Sequence, residues 1–89
     1  MRAIVTVIGK DRVGIIASVT NLLSGFGVNV LDISQTVLQE YFTMIMLVDA
    51  AGCSVPFAEL ANALKAEGEQ MGMQIRAQRE EVFNAMHRI

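Results

Sequence analysis

Between Gly9 and Gly14 the apolar residues of this chain change their spacing from that of a β-strand to that of an α-helix, and no other feature limits the fold as tightly. Ahead of the change, Ile4, Val5, Thr6, Val7 and Ile8 are all β-branched, which suits a pleated strand over Arg2 to Ile8 that Gly9 interrupts. Beyond it, Ile15, Ile16, Val19, Leu22, Leu23 and Phe26 recur at helical intervals, with Ser18, Asn21 and Ser24 on the opposite side. This predicts an amphipathic helix of about three to four turns running from Val13. A strand that feeds such a helix directly is the first half of a crossover unit.

The remaining segments continue the alternation of element types. Gly25 and Gly27 supply the left-handed backbone that ends a helix, and Val28 to Gln39 reads as extended, with the second strand starting near Asn29. There Leu31, Ile33 and Val37 alternate with Asp32, Ser34 and Thr36, so one side is expected to meet a core and the other to stay wetter. Gln39 and Glu40 form a turn. Tyr41 to Asp49 sets Phe42, Met44, Met46 and Val48 against Ile45 and Leu47, which predicts a central strand covered on both faces, with a second chain as a candidate for one cover. After a loop over Ala50 to Val55, Pro56 suits the first position of a second helix, with Ser54 as its cap and Phe57, Leu60, Ala61, Leu64 and Met71 as its apolar stripe. Gly72 should end it, and Met73 to Gln78 alternates as a half-buried fourth strand. Glu80 to Ile89 carries acids at its start and Arg88 near its end, which suits a helix dipole, with Val82, Phe83 and Met86 as a docking patch.

The order strand, helix, strand, strand, helix, strand interleaves two crossover units into one α+β domain. The expected architecture is a ferredoxin-like βαββαβ sandwich: a four-stranded antiparallel sheet, two helices on one face, and a short C-terminal helix. Residues 1–89 show no internal repeat or linker and are expected to form a single domain, with 79–89 as a helical tail.

Composition narrows the function classes. Hydrophobic types make up 53% of 89 residues, and a mean hydropathy of +0.44 suggests more apolar surface than one small core absorbs, so self-association is expected. The longest wholly apolar run, Met44 to Val48, is far shorter than a bilayer span, and Met1 to Ile8 is too short for a signal peptide. A cytoplasmic protein without membrane partners is the expectation. Seven basic residues against nine acidic give a net charge of -2, and the basic ones are scattered, which argues against nucleic acid as a partner. With one cysteine, Cys53, and one histidine, His87, a single chain assembles neither a disulfide nor a Cys/His zinc cage, so no metal or cofactor is expected.

Chemistry concentrates in Gly9-Lys10-Asp11-Arg12-Val13-Gly14-Ile15-Ile16-Ala17, which joins the first strand to the first helix. A helix start offers unpaired N–H groups and partial positive charge, a seat for a carboxylate or phosphate when glycine lets the backbone approach. Asp11 beside that seat suits the ammonium of an α-amino acid. The plainer alternative makes Asp11 a helix cap and leaves Gly9 and Gly14 to turning and packing. Asn29 both donates and accepts, which suits the same ligand or an ordinary turn. Asp32, Cys53, His87 and the methionines read as solvated, loop, tail and core residues. No spaced pair of catalytic groups is present, so no catalytic residue is assigned.

The loop above, followed by Gly27-Val28-Asn29-Val30, Ser34-Gln35-Thr36 and Tyr41-Phe42-Thr43-Met44, resembles the ACT domain family across essentially the whole chain, and within it the free-standing single-ACT proteins of bacteria and archaea. The resemblance implies sheet-mediated association and a small ligand, usually an amino acid, held between subunits near the first loop and the start of the second strand. It implicates Asp11, Arg12, Val13, Gly14, Ile15 and Asn29. Many such loops carry proline where this chain has Val13, and most such domains regulate an attached enzyme, whereas here a regulated protein would act in trans. The expected function is a non-catalytic, homo-oligomeric regulatory module. Its rivals are a ligand-free interaction adapter and an acylphosphatase-like hydrolase, the latter invited by Arg12 and Asn29 but lacking that family's loop order.

Overall fold

The structure, a computed structural model, describes residues 1–86, with the side chain of Met86 left out. His87 and the end of the expected tail helix lie outside the described residues. The elements follow the expected order: β1 (Arg2–Lys10), α1 (Ile15–Gly25), β2 (Asn29–Leu38), β3 (Tyr41–Asp49), α2 (Phe57–Met71), β4 (Met73–Arg79) and α3 (Glu80–Met86). One antiparallel sheet runs in the order β2-β3-β1-β4, so β1 and β3 are central and β2 and β4 are edges.

Strand alternation decides which side chains meet the helices. Ala3, Val5 and Val7 of β1, Phe42, Met44, Met46 and Val48 of β3, and Met73 and Ile75 of β4 are buried on one face, against Ile15, Val19 and Leu23 of α1 and Leu60 and Leu64 of α2. Each fully buried leucine contributes about 1.5–3 kcal/mol relative to an exposed one. The intervening residues Ile4, Thr6, Ile8, Thr43, Ile45 and Leu47 point to the other face, which neither α1 nor α2 covers. There Ile8 and Ile45 are 46% and 42% exposed, so β3 is central within the sheet yet covered on one side alone within this chain.

Three local expectations are corrected. Helix α1 begins at Ile15 rather than Val13, because Gly14 takes the left-handed conformation (φ 89°, ψ 4°) and breaks the helical path just before it. Pro56 is the N-cap of α2 rather than its first residue, and Ser54 makes no side-chain cap; its N–H instead donates to the Phe26 carbonyl at 2.8 Å. In β2 a bulge between Val30 and Asp32 shifts the register, so Val30 turns toward the core and Leu31 is left 48% exposed. Gly72 ends α2 in the left-handed region, as expected (φ 71°).

Helix α2 lies tight against β4 at Gly68, where an added Cβ would come within 2.7 Å of the Met73 carbonyl oxygen and 2.9 Å of Ile75 Cγ1. At the opposite end of the sheet the Met1 ammonium lies 3.4 Å from Asp49, whose Oδ1 also accepts the Ala51 N–H at 3.0 Å, and Arg2 pairs with Glu80 at 2.6 Å. Bonding to the Ala51 N–H, offset in part by desolvation and aided by the Met1 ammonium, holds the Asp49 carboxyl below its ordinary pKa.

Two predictions follow from this packing. Alanine normally favours a helix interior over glycine by about 1 kcal/mol, but Gly68→Ala should reverse the sign and destabilise the fold by about 1–3 kcal/mol in urea denaturation, because the helix must lift off β4. The depressed Asp49 pKa adds stability that is present above the ordinary carboxylate range and is lost as pH falls through the lower, folded value. Asp49→Asn should therefore lower stability at neutral pH and flatten its fall in acid, as followed by thermal melts across pH.

Candidate functional site

Strand β1 ends at Lys10, and the loop Asp11 to Gly14 carries the chain onto the start of α1. The Asp11 N–H donates to the Glu40 carbonyl at 2.7 Å, fastening this loop to the turn between β2 and β3. Asp11 does not cap the helix: Gly14 occupies the N-cap position, and no side-chain cap bond is made there. The first helical bond runs from the Ser18 N–H to the Gly14 carbonyl at 2.9 Å. The N–H groups of Ile15, Ile16 and Ala17 precede it and have no acceptor within the helix, and no acidic side chain sits in the first turn. A Cβ added at position 14 would meet nothing within 4 Å, so this glycine is favoured by its backbone angle rather than by crowding.

These groups line an open cleft of about 280 Å³, bordered by Asp11, Arg12, Gly14, Ile15, Ile16, Ala17 and Phe42. Four of the six expected site residues therefore come together in one chain. Val13 is at the loop tip, wholly exposed, and does not line the cleft. Arg12 lines it, but Nη1 donates to the Met71 carbonyl at 2.9 Å, in the last turn of α2, where a cation also suits the helix dipole. Sequence reasoning gave Arg12 no such structural duty, since the bond joins residues 59 apart in the chain.

Asn29 is elsewhere. It is exposed and pairs with Asp49, which pairs in turn with Arg2, whereas the cleft lies at the opposite end, where Lys10 faces Tyr41 and Tyr41 faces Leu38. Ten residues of β2 separate these ends, roughly 30 Å of strand. Within one chain Arg12 and Asn29, the pair that invited comparison with an acylphosphatase, do not meet. Ile16, Ala17 and Phe42 also line the cleft but are not among the expected site residues. The first two carry helix-start N–H groups, and their positions follow once the start of α1 is known; Phe42 carries no signal beyond that of a core strand residue.

The cleft pairs a helix start and a guanidinium, both favouring an anion, with one carboxylate that favours a cation and an apolar floor at Ile15 and Phe42, which are 2% and 4% exposed. The cleft thus presents groups of both charge signs beside an apolar wall. Among the described residues no group of three or more His, Cys, Asp or Glu side chains is placed to hold a metal ion. None of the described helices is long and apolar enough to cross a membrane.

Comparison with known proteins places this geometry in a family. A model described as the ACT domain matches residues 2–78. A UPF0237 protein of Clostridium acetobutylicum is 51% identical over 89 residues, covering 100% of both chains. Among solved structures, the ACT domain protein from Streptococcus pneumoniae superposes with a TM-score of 0.82 at 42% identity, covering 98% of each chain. A putative glycine cleavage system transcriptional repressor shares the fold at a TM-score of 0.74 and 23% identity, over 86% of this chain and 44% of its own. With its fold, its first loop and almost its full length matched, the chain belongs to the ACT domain family.

Proposed function

We propose that this protein is a non-catalytic regulatory module that binds an amino acid or similar small molecule as a homo-oligomer, and that it acts on a separate protein partner in the cytoplasm. The observation that carries this reading is the uncapped start of α1, whose N–H groups open into a cleft beside the Asp11 carboxylate and the Arg12 guanidinium. The ligand carboxylate sits on the N–H groups of Ile15 and its neighbours, and the ammonium sits at Asp11. Membership in a family of regulatory ligand-binding domains supports the same assignment.

Asn29 enters from a neighbouring copy. Strand β2 is a sheet edge of ten residues with Asp32 as its one charge and no proline. Such an edge is a template for antiparallel pairing with its own counterpart. Pairing about a two-fold axis would set Asn29 of one copy against the Leu38 end of the other, the end to which Asp11 is fastened through Glu40. The cleft is thereby closed by a second chain, and ligand binding and assembly become linked.

Screening amino acids by thermal shift, followed by calorimetry on the best, tests this. Asp11→Ala and Asn29→Ala should each weaken binding by about tenfold or more while leaving the melting temperature of the free protein nearly unchanged, in keeping with about 1.5–3 kcal/mol for a charge-assisted bond. Unchanged affinity in both variants would reject the site. Gly14→Ala should lower stability by about 1 kcal/mol, the strain of a left-handed alanine, and reduce binding as the N–H groups lose their aim.

A further inference from the structure

Arg12 joins the cleft to the far end of α2, and the corner it holds is otherwise lightly tied. Met71, Gly72 and Met73 carry the chain from α2 into β4, with Gly72 in the left-handed region at φ 71°. The Met71 carbonyl is one of the last four of the helix, which find no donor within it, and Arg12 Nη1 supplies one at 2.9 Å. By contrast, the Gly72 N–H reaches the Glu69 carbonyl at 3.4 Å, beyond the ordinary range for such a bond. The corner also rests on the end of β1: a Cβ added to Gly9 would collide with Met73 Sδ and lie 3.3 Å from the Gly72 carbonyl oxygen. The bond to Met71 occupies one nitrogen of Arg12. Nη1 lies on the Cδ side of the guanidinium, so Nε and Nη2 form its other edge, which can take a carboxylate through two parallel bonds. Neither makes a hydrogen bond or ion pair among the described residues, and Arg12 lines the cleft.

We infer that Arg12 is a two-sided strut that couples occupancy of the cleft to the order of the α2–β4 corner: the ligand carboxylate takes the Nε–Nη2 edge while Nη1 stays on the Met71 carbonyl. The inference rests on the amino-acid reading above and adds the route by which binding is felt outside the cleft. In the free protein the guanidinium is exposed and fixed on one side alone, so its bond to Met71 competes with water. A carboxylate on the second edge removes rotamers in which that bond is broken, so the entropy of holding it is partly spent once the ligand is bound. The ligand does not have to displace the carbonyl, because a guanidinium has five N–H donors and the carbonyl occupies one nitrogen. Binding therefore tightens the last turn of α2 and the first residues of β4. The relation is reciprocal: a protein partner that clamps this corner raises affinity at the cleft by the same factor.

Amide exchange followed by NMR on the full chain, with the standard α-amino acids added singly as probes, tests the inference. A probe that shifts the amide signals of residues 15–17 should slow exchange at Gly72 and Met73 in the wild-type chain by about three- to tenfold, the worth of one hydrogen bond. In Arg12→Ala the same probe at saturation should still shift residues 15–17, through their N–H groups and Asp11, and leave exchange at Gly72 and Met73 unmoved. Arg12→Lys should recover part of the lost affinity through its charge but not the slowing, since an ammonium has no second edge. Exchange at Gly72 and Met73 that the probe leaves unchanged in the wild type, or slows equally in Arg12→Ala, would overturn the strut and leave the cleft standing. Failure of every probe to shift residues 15–17 would overturn the amino-acid reading and the strut with it.

Discussion

One-sided burial of a four-stranded sheet is the constraint on which the rest of this structure depends. Val5 and Val7 on β1 and Met44 and Met46 on β3 are fully buried under Val19, Leu23, Leu60 and Leu64. That contact sets the register of the two central strands, because a slip by one residue would exchange this row for Thr6, Ile45 and their neighbours. It also determines the path of the chain. Helices α1 and α2 must lie across the same face, so the connections leading into them leave the sheet at an end and turn back on themselves.

The candidate site is a by-product of that return. Where β1 gives way to α1, the chain reverses direction within four residues, and Gly14 takes up the turn in a backbone conformation that other residues rarely adopt. A glycine cap has no side chain to occupy the first N–H groups of α1, so they remain available to a ligand. The cleft is held from two sides by backbone acceptors: Asp11 is tied to Glu40 and Arg12 to Met71. The loop is thus braced against both the β2–β3 turn and the end of α2.

One-sided burial also leaves surplus apolar surface. Leu38, Tyr41 and Val37 are more than half exposed at the β2–β3 end, and the open face retains Ile8 and Ile45. Singly exposed apolar residues are ordinary in a small protein, but here they continue across neighbouring strands. Much of the exposed apolar surface therefore lies on β2, at the β2–β3 turn and on the open side of β1 and β3. Nothing comparable is found among the polar residues: no buried side-chain nitrogen or oxygen among the described residues lacks a partner.

Elements whose identity depends on near neighbours were legible in the sequence. The β-branched run of β1, the helical spacing of α1 and α2, and Gly72 as the end of α2 all act over a few residues, and they led to the element order and to the antiparallel sandwich. Asp11 and Gly14 stood out for the same reason, since a strand, a short glycine loop and a helix start in sequence put their backbone groups together wherever the rest of the chain goes, whereas Arg12 and Ile15 entered through the family resemblance. The β2 bulge that exchanged Leu31 for Val30 left no local mark, because it arises from pairing with β3. The Arg12 bond to Met71 and the remoteness of Asn29 were equally illegible, since both depend on where α2 ends and which way β2 runs. The sequence by itself thus determined the elements, their order and the chemistry of the first loop, all set by local spacing and backbone freedom. Only the tertiary structure decided which face stays open and which site residues share a cleft, because those are matters of long-range register that short-range propensity does not encode.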